Sequence, residues 1–152
     1  MVIFKQPFIG GEVVPHQDST FLHTEPHSAT GLWFALEDCH LHNGCLEFVP
    51  GSHTKGLLNG RRMVRDGKGG VEFTAAGAVF DDKDFVPLEC PAGSLVLIHG
   101  SVVHRSSANR SPTSRIIYTF HVIEGAQGFV YDDKNWLQTP GTPFASLFDT
   151  IA

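Results

Sequence analysis

Nine histidines are spread through the 152 residues of this chain, and one stands in a pattern with chemical consequences, His16-Gln17-Asp18. In an extended segment the side chains at i and i+2 project to the same face. His16 and Asp18 can therefore reach one ion together while Gln17 points away. A second histidine from a distant strand would complete a face of two imidazoles and one carboxylate. Such a face leaves the opposite side of an octahedral metal open, the arrangement found in non-haem Fe(II) oxygenases. Two downstream histidines compete for that place, His99 in Leu97-Ile98-His99 and His104 in Val102-Val103-His104. His104 is followed by Ser106 and then by Arg115. A planar guanidinium can hold a carboxylate through two parallel hydrogen bonds, fixing direction as well as charge. Ser106 lies two positions past His104, so strand alternation turns both to one side.

The elements that must position these residues read almost entirely as strands. Residues 1–6 form a short apolar segment, and Gly10-Gly11 turns the chain into a second extended piece over 12–16. Pro15 cannot donate to a ladder, so this piece ends there or runs along an edge. Residues 31–37 are apolar on both faces, as in a strand covered on both sides. Another strand is read over 45–49, closed by the Pro50-Gly51-Ser52-His53 turn. Residues 93–99 resume the pattern, Gly100-Ser101 breaks it, and 102–104 continue it. After a polar turn at 108–114, a strand over 115–123 puts Arg115, Ile117, Thr119 and His121 on one face. Residues 55–84 are rich in glycine and charge and read as one long surface loop, a mobile excursion. The tail beyond Gly125, with Trp136, Phe144 and Phe148, is expected to pack across an open sheet edge. Helix signals are nearly absent, so the fold class is mainly β, a sandwich or barrel of short strands.

The bulk composition narrows the function. The length suits a single domain, residues 1–152, and 41% hydrophobic with 18% charged residues describes a folded chain. A net charge of −5 gives no electrostatic reason to expect nucleic acid or an anionic membrane as partner. The basic run Arg61-Arg62-Met63-Val64-Arg65 is short and reads as a solvated loop. Cys39, Cys45 and Cys90 form no Cys-x-x-Cys pair, which argues against a zinc knuckle and for free thiols. Neither a signal peptide nor a bilayer-length apolar run is present, and the final Asp149-Thr150-Ile151-Ala152 is no peroxisomal address. These features lead to the expectation of a soluble, cytoplasmic protein acting on a small molecule.

Three blocks of residues taken together resemble the phytanoyl-CoA dioxygenase family. They are Pro15-His16-Gln17-Asp18, then Asn43-Gly44-Cys45-Leu46 through Pro50-Gly51-Ser52-His53, then Leu97-Ile98-His99 through His104 with Arg115. The likeness extends to Phe4-Lys5-Gln6-Pro7 and Tyr118-Thr119-Phe120-His121, covering essentially the whole chain. It implies a double-stranded β-helix (a cupin-like jelly-roll) that uses Fe(II), 2-oxoglutarate and O2. It also implies that His16, Asp18 and His104 ligate iron and that Arg115 pairs with the distal carboxylate of 2-oxoglutarate. Ser106 would lie beside that carboxylate, with Met1, Gln17 and Trp33 among the cosubstrate positions. By its residues alone Trp33 is a core aromatic; only the resemblance makes it a cosubstrate contact. His99 becomes a packing residue on this reading, and His121 either lines the barrel near the cosubstrate or is a satisfied core histidine. His53 reads as structural, and His23, His27, His40 and His42 as loop residues.

The implied activity is hydroxylation of a C–H bond in a small organic or acyl substrate, with release of succinate and CO2. Related halogenases lack the carboxylate that Asp18 supplies. Two other classes compete: a non-catalytic jelly-roll module that binds a metal or ligand, and a cupin-like isomerase or epimerase, in which Arg115 would have no carboxylate to hold. Members of the family carry a further N-terminal region, largely helical, that buttresses the larger sheet. This chain begins in the strand before the metal motif. The resemblance therefore implies a catalytic domain without its helical support, an uncovered apolar sheet face, self-association, and low stability or activity alone.

Overall fold

The computed structural model describes residues 1–148, so the terminal Asp149-Thr150-Ile151-Ala152 lies outside the described residues. Twelve short strands are joined by turns and single 3-10 turns, with no α-helix among the described residues. The strands are β1 (Val2–Lys5), β2 (Val13–His16), β3 (Thr24–Glu25), β4 (Thr30–Ala35), β5 (Leu46–Phe48) and β6 (Met63–Arg65). They continue as β7 (Val71–Phe73), β8 (Val86–Leu88), β9 (Leu95–His99), β10 (His104–Ser106), β11 (Arg115–Val122) and β12 (Val130–Tyr131). Two four-stranded antiparallel sheets form the body, a major one ordered β1-β11-β4-β9 and a minor one ordered β2-β10-β5-β8.

The major sheet follows the period of two set by its sequence. Across it, Lys5 pairs with Arg115, Ile3 with Ile117, Trp33 with Thr119 and Gly31 with His121. These positions face inward, where Arg115, Ile117, Trp33 and Ala35 are all buried. Trp33, Ala35, Cys39, Cys45, Leu46, Ile98 and Ile117 make one apolar cluster between the sheets. Full burial of a side chain such as Ile117 is worth about 1.5–3 kcal/mol, which favours this register over a one-residue slip. Polar Asp18, His104, Arg115 and Thr119 share the interior with that cluster.

Several sequence expectations change with the structure. The outer face of the major sheet is apolar and open: Val2, Phe4, Leu95, Leu97 and Tyr118 are exposed. β4 is covered on its inner side only, and its outer Phe34 stacks on Phe120, with ring centroids 6.1 Å apart. Residues 55–84 are not one irregular loop, because β6 and β7 pair as a hairpin within them and Val64 is buried against Asn135. The basic run lies on that hairpin and is engaged: Arg61 sits over the Phe73 ring, Arg62 pairs with Asp132 and Arg65 donates to the Asp133 carbonyl. Three-residue strands carry too little periodicity to be seen without their partners. The segment beyond Gly125 pairs through β12 with β3, and none of its described residues joins the ladder of the major sheet. The last strand of the metal motif starts at His104, where the sequence pattern ended it. All three cysteines are free thiols, and no helix among the described residues is long and apolar enough to cross a membrane.

Candidate metal and cosubstrate site

β2 and β10 carry the first two side chains. β2 is the edge of the minor sheet, the place where Pro15 is tolerated. In its register His16 stands directly opposite His104, and the ladder then slips so that Ser106 opposes Val13. The two imidazole rings lie 4.2 Å apart. Gln17 keeps an extended backbone (φ −119°, ψ 135°), and Asp18 opens a single 3-10 turn. That turn is pinned by Ser19 N–H donating to the Gly100 carbonyl at 2.8 Å. Alternation therefore persists just long enough to place Asp18 on the side of His16.

The hydrogen bonds around the triad select its ligand atoms. His16 Nδ1 lies 2.8 Å from the Val14 carbonyl and His104 Nδ1 lies 3.2 Å from the Val102 carbonyl. Because a carbonyl only accepts, both Nδ1 atoms carry the proton and both Nε2 atoms present lone pairs. Those Nε2 atoms converge on Asp18 Oδ1, at 3.6 Å from His16 and 3.7 Å from His104. Asp18 Oδ2 is buried and has no in-line hydrogen-bond donor, although His121 Nε2 lies 3.1 Å away. The ligand atoms of His16, Asp18 and His104 all fall within 4.8 Å of one another. Two lone pairs and a carboxylate aimed at one point, with a buried oxygen left over, fit a divalent cation.

The electrostatics put Asp18 and His104 in their ligating forms. Burial alone would raise the Asp18 carboxyl, but contact with His121 and His16 and the charge at His104 hold it far below the usual carboxylate range. Burial is the main cause that pushes His104 down to about 4, so its imidazole is neutral near pH 7. At His16 burial pulls down, and the Asp18 and Val14 contacts outweigh it and raise the value. Gly31 leaves room for this arrangement: a Cβ there would stand 3.3 Å from Asp18 Oδ2 and 3.4 Å from His121 Cδ2.

Beside the triad is an arginine prepared for an anion. Arg115 is 1% exposed, its Nη2 donates to Ser106 Oγ at 2.8 Å, and Ser106 Oγ donates to the Gly44 carbonyl at 2.8 Å. Its Nε has no partner, and no carboxylate of the described residues pairs with it. Trp33 is buried with its ring centroid 5.7 Å from Arg115 Cζ. Lys5 reaches in from β1 and donates through Nζ to the carbonyls of Ser106 and Ser107. Burial first, and the Arg115 charge second, bring Lys5 down to about 8. A cavity of about 140 Å³ adjoins His16 and is walled by Val14, Phe21, Leu58, Phe73 and Phe80.

The structure thus brings together His16, Asp18 and His104, and places Ser106, Arg115 and Trp33 in a second group. His99 is elsewhere: it is exposed on β9, pairs with Thr30 and accepts the Ser101 N–H at Nδ1. Met1 is held at the rim through its backbone, with Thr119 N–H donating to its carbonyl, and is 68% exposed. The Gln17 side chain braces the surrounding loops. Its Nε2 donates to the carbonyls of Gly56 and Ser101, and its Oε1 accepts the Leu58 N–H. His121, which alternation put on the face of Arg115, lines the interior beside Asp18. One site residue escaped the sequence reading: Lys5 became visible only through its partners on β10.

Two antiparallel sheets around a triad of two histidines and one carboxylate, with a buried arginine next to it, define a jelly-roll domain equipped for a non-haem metal. The family model for phytanoyl-CoA dioxygenase (PhyH) matches residues 1–117, and the chain belongs to that family. Phytanoyl-CoA dioxygenase domain-containing protein 1 of Danio rerio is 53% identical over 153 residues, covering 97% of this chain and 52% of that protein. Phytanoyl-CoA dioxygenase 1 of Oryza sativa subsp. japonica is 54% identical over 138 residues, covering 91% of this chain and 48% of that protein. The chain spans about half the length of the curated relatives it matches. Among solved structures, the non-haem α-ketoglutarate-dependent carbocyclase SnoK is 23% identical with a TM-score of 0.64, covering 86% of this chain and 49% of that one. The epimerase SnoN, also α-ketoglutarate-dependent, is 22% identical with a TM-score of 0.64, covering 93% of this chain and 52% of that one. At these identities the likeness establishes the shared fold.

Proposed function

We propose that this chain is the catalytic portion of an Fe(II)- and 2-oxoglutarate-dependent dioxygenase that hydroxylates a C–H bond of a small, largely apolar substrate. The observation that carries the reading is the pairing of a pre-set His16, Asp18 and His104 triad with a buried arginine that has no carboxylate of its own. His16 Nε2, His104 Nε2 and an Asp18 oxygen would hold the iron. Arg115, steered by Ser106, would hold the distal carboxylate of 2-oxoglutarate, with Trp33 walling the same space. Bound together, iron and 2-oxoglutarate supply the oxidation, in which O2, 2-oxoglutarate and substrate C–H become succinate, CO2 and substrate C–OH.

This chain's own work is placement. The Val14 and Val102 carbonyls fix both imidazole tautomers, and His121 Nε2 flanks the carboxylate at 3.1 Å from Asp18 Oδ2. Asp18 fills the position that a halide would need, which favours hydroxylation over halogenation. The aromatic and aliphatic walls beside His16 accept an apolar group and keep water from it. Succinate formation from 2-oxoglutarate in the presence of Fe(II) and O2, followed without substrate and with candidate acyl substrates, tests the reading. His104→Ala should abolish iron uptake, whereas Arg115→Ala should keep iron and weaken 2-oxoglutarate binding. An iron-loaded chain that never forms succinate would instead be a non-catalytic binding module.

A further inference from the structure

A second group of metal-capable side chains lies away from the triad, on β3 and the turn after it. In His23-Thr24-Glu25-Pro26-His27 the central Thr24 is fully buried, its Oγ1 donating to the Pro26 carbonyl at 2.7 Å and lying 2.8 Å from Ser28 Oγ. His23, Glu25 and His27 alternate with it, and one ligand atom from each falls within 4.8 Å of the other two. The two rings lie against each other, with centroids 5.1 Å apart and planes inclined at 71°. His27 Nδ1 lies 3.5 Å from Ser101 Oγ, which leaves its other nitrogen for a ligand. His23 Nδ1 is buried and has no hydrogen-bond partner. An unmet buried polar atom costs about 1–3 kcal/mol and calls for an occupant.

The backbone around this group is already fixed. Asn135 Nδ2 and Asp132 N–H both donate to the His23 carbonyl, at 2.8 and 3.2 Å. Val130 pairs with Glu25 across the β12 ladder. The neighbouring Arg62, a cation that would oppose a metal, is drawn into an ion pair with Asp132 at 2.7 Å.

We propose that His23, Glu25 and His27 form an accessory site for a first-row transition-metal dication, with Zn(II) the best match. Two imidazoles and a carboxylate suit zinc, copper or nickel and disfavour calcium and magnesium, which take oxygen ligands. Three protein ligands with the fourth position left to water is a common zinc arrangement. The site shares no residue with the triad. When filled, it would clamp β3 to the 130–135 segment, because the same residues that carry the ligands carry the β12 pairing.

Calorimetric titration of the metal-free chain with Zn(II) tests this. Two equivalents should bind to the unaltered chain and one to the H23A/H27A variant, and that retained equivalent shows the variant is folded. The single variants E25Q and H27Q alter an exposed and a half-buried side chain and leave His23, with its buried Nδ1, in place. Each should keep the triad equivalent and weaken the second by about tenfold or more. One equivalent in the unaltered chain, two in H23A/H27A, or unchanged affinity in both E25Q and H27Q would overturn the proposal.

Discussion

Lys5 offers the sharpest test of the interior electrostatics. Its ammonium is 2% exposed, donates to two carbonyls of the β10 end, and shares its surroundings with Arg115. In the folded chain it loses its proton near pH 8, against 10.5 for an unperturbed lysine, chiefly through burial and then through Arg115. Between those two values the unfolded chain binds more protons than the folded one, so this group makes stability rise with pH. At about 1.4 kcal/mol per pKa unit the whole rise has a ceiling of about 3 kcal/mol. Cys39 and Cys45 act in the opposite sense: burial pushes them up to about 12 and about 11, so unfolded thiols ionise first and stability falls as pH rises. The raw profile therefore mixes both, and the difference between the unaltered chain and Lys5→Met isolates the lysine. Urea midpoints measured in reducing buffer from pH 7 to 10.5 should show that difference moving by up to about 3 kcal/mol in favour of the unaltered chain. A difference that stays flat across that window would refute the buried-ammonium account.

Two further predictions follow from packing. Gly31→Ala should weaken metal binding at the triad by about tenfold, since its Cβ would press on Asp18 Oδ2, Ile98 and His121. An unchanged dissociation constant in a metal titration would contradict the close approach. The open face of the major sheet, with Val2 at 61% and Leu97 at 66% exposure, should make the chain self-associate as its concentration rises. The F4S/L97S variant should shift sedimentation toward monomer, and an unaltered chain that stays monomeric throughout would dismiss that role for the face.

Much of the site was legible because it rests on alternation. The single strand β11 carries Arg115, Ile117, Thr119 and His121 on one face, and its bounds agree with the sequence reading to within a residue. Pro15 correctly placed β2 at an edge. The choice of His104 over His99 needed long-range information, since both stand in apolar runs and only the β2 ladder separates them. What stayed hidden depends on partners distant in sequence. The β6–β7 hairpin gains its definition from Asn135, Gln17 from carbonyls at Gly56 and Ser101, and Lys5 from Ser106 and Ser107. Local pattern carries no trace of such contacts.

The position of Asp18 has a mechanical consequence. His16 and His104 belong to the minor sheet, while His121 and Gly31, against which the carboxylate rests, belong to the major one. An ion held by all three ligands would therefore act as a rivet between the two layers, beside an apolar cluster of seven buried residues among those described. By mass action, free metal at a hundredfold excess over its dissociation constant adds about 2.7 kcal/mol to the folded state. Sheet spacing and metal occupancy would then rise and fall together, so chelation should loosen the two-layer body before it disturbs either sheet.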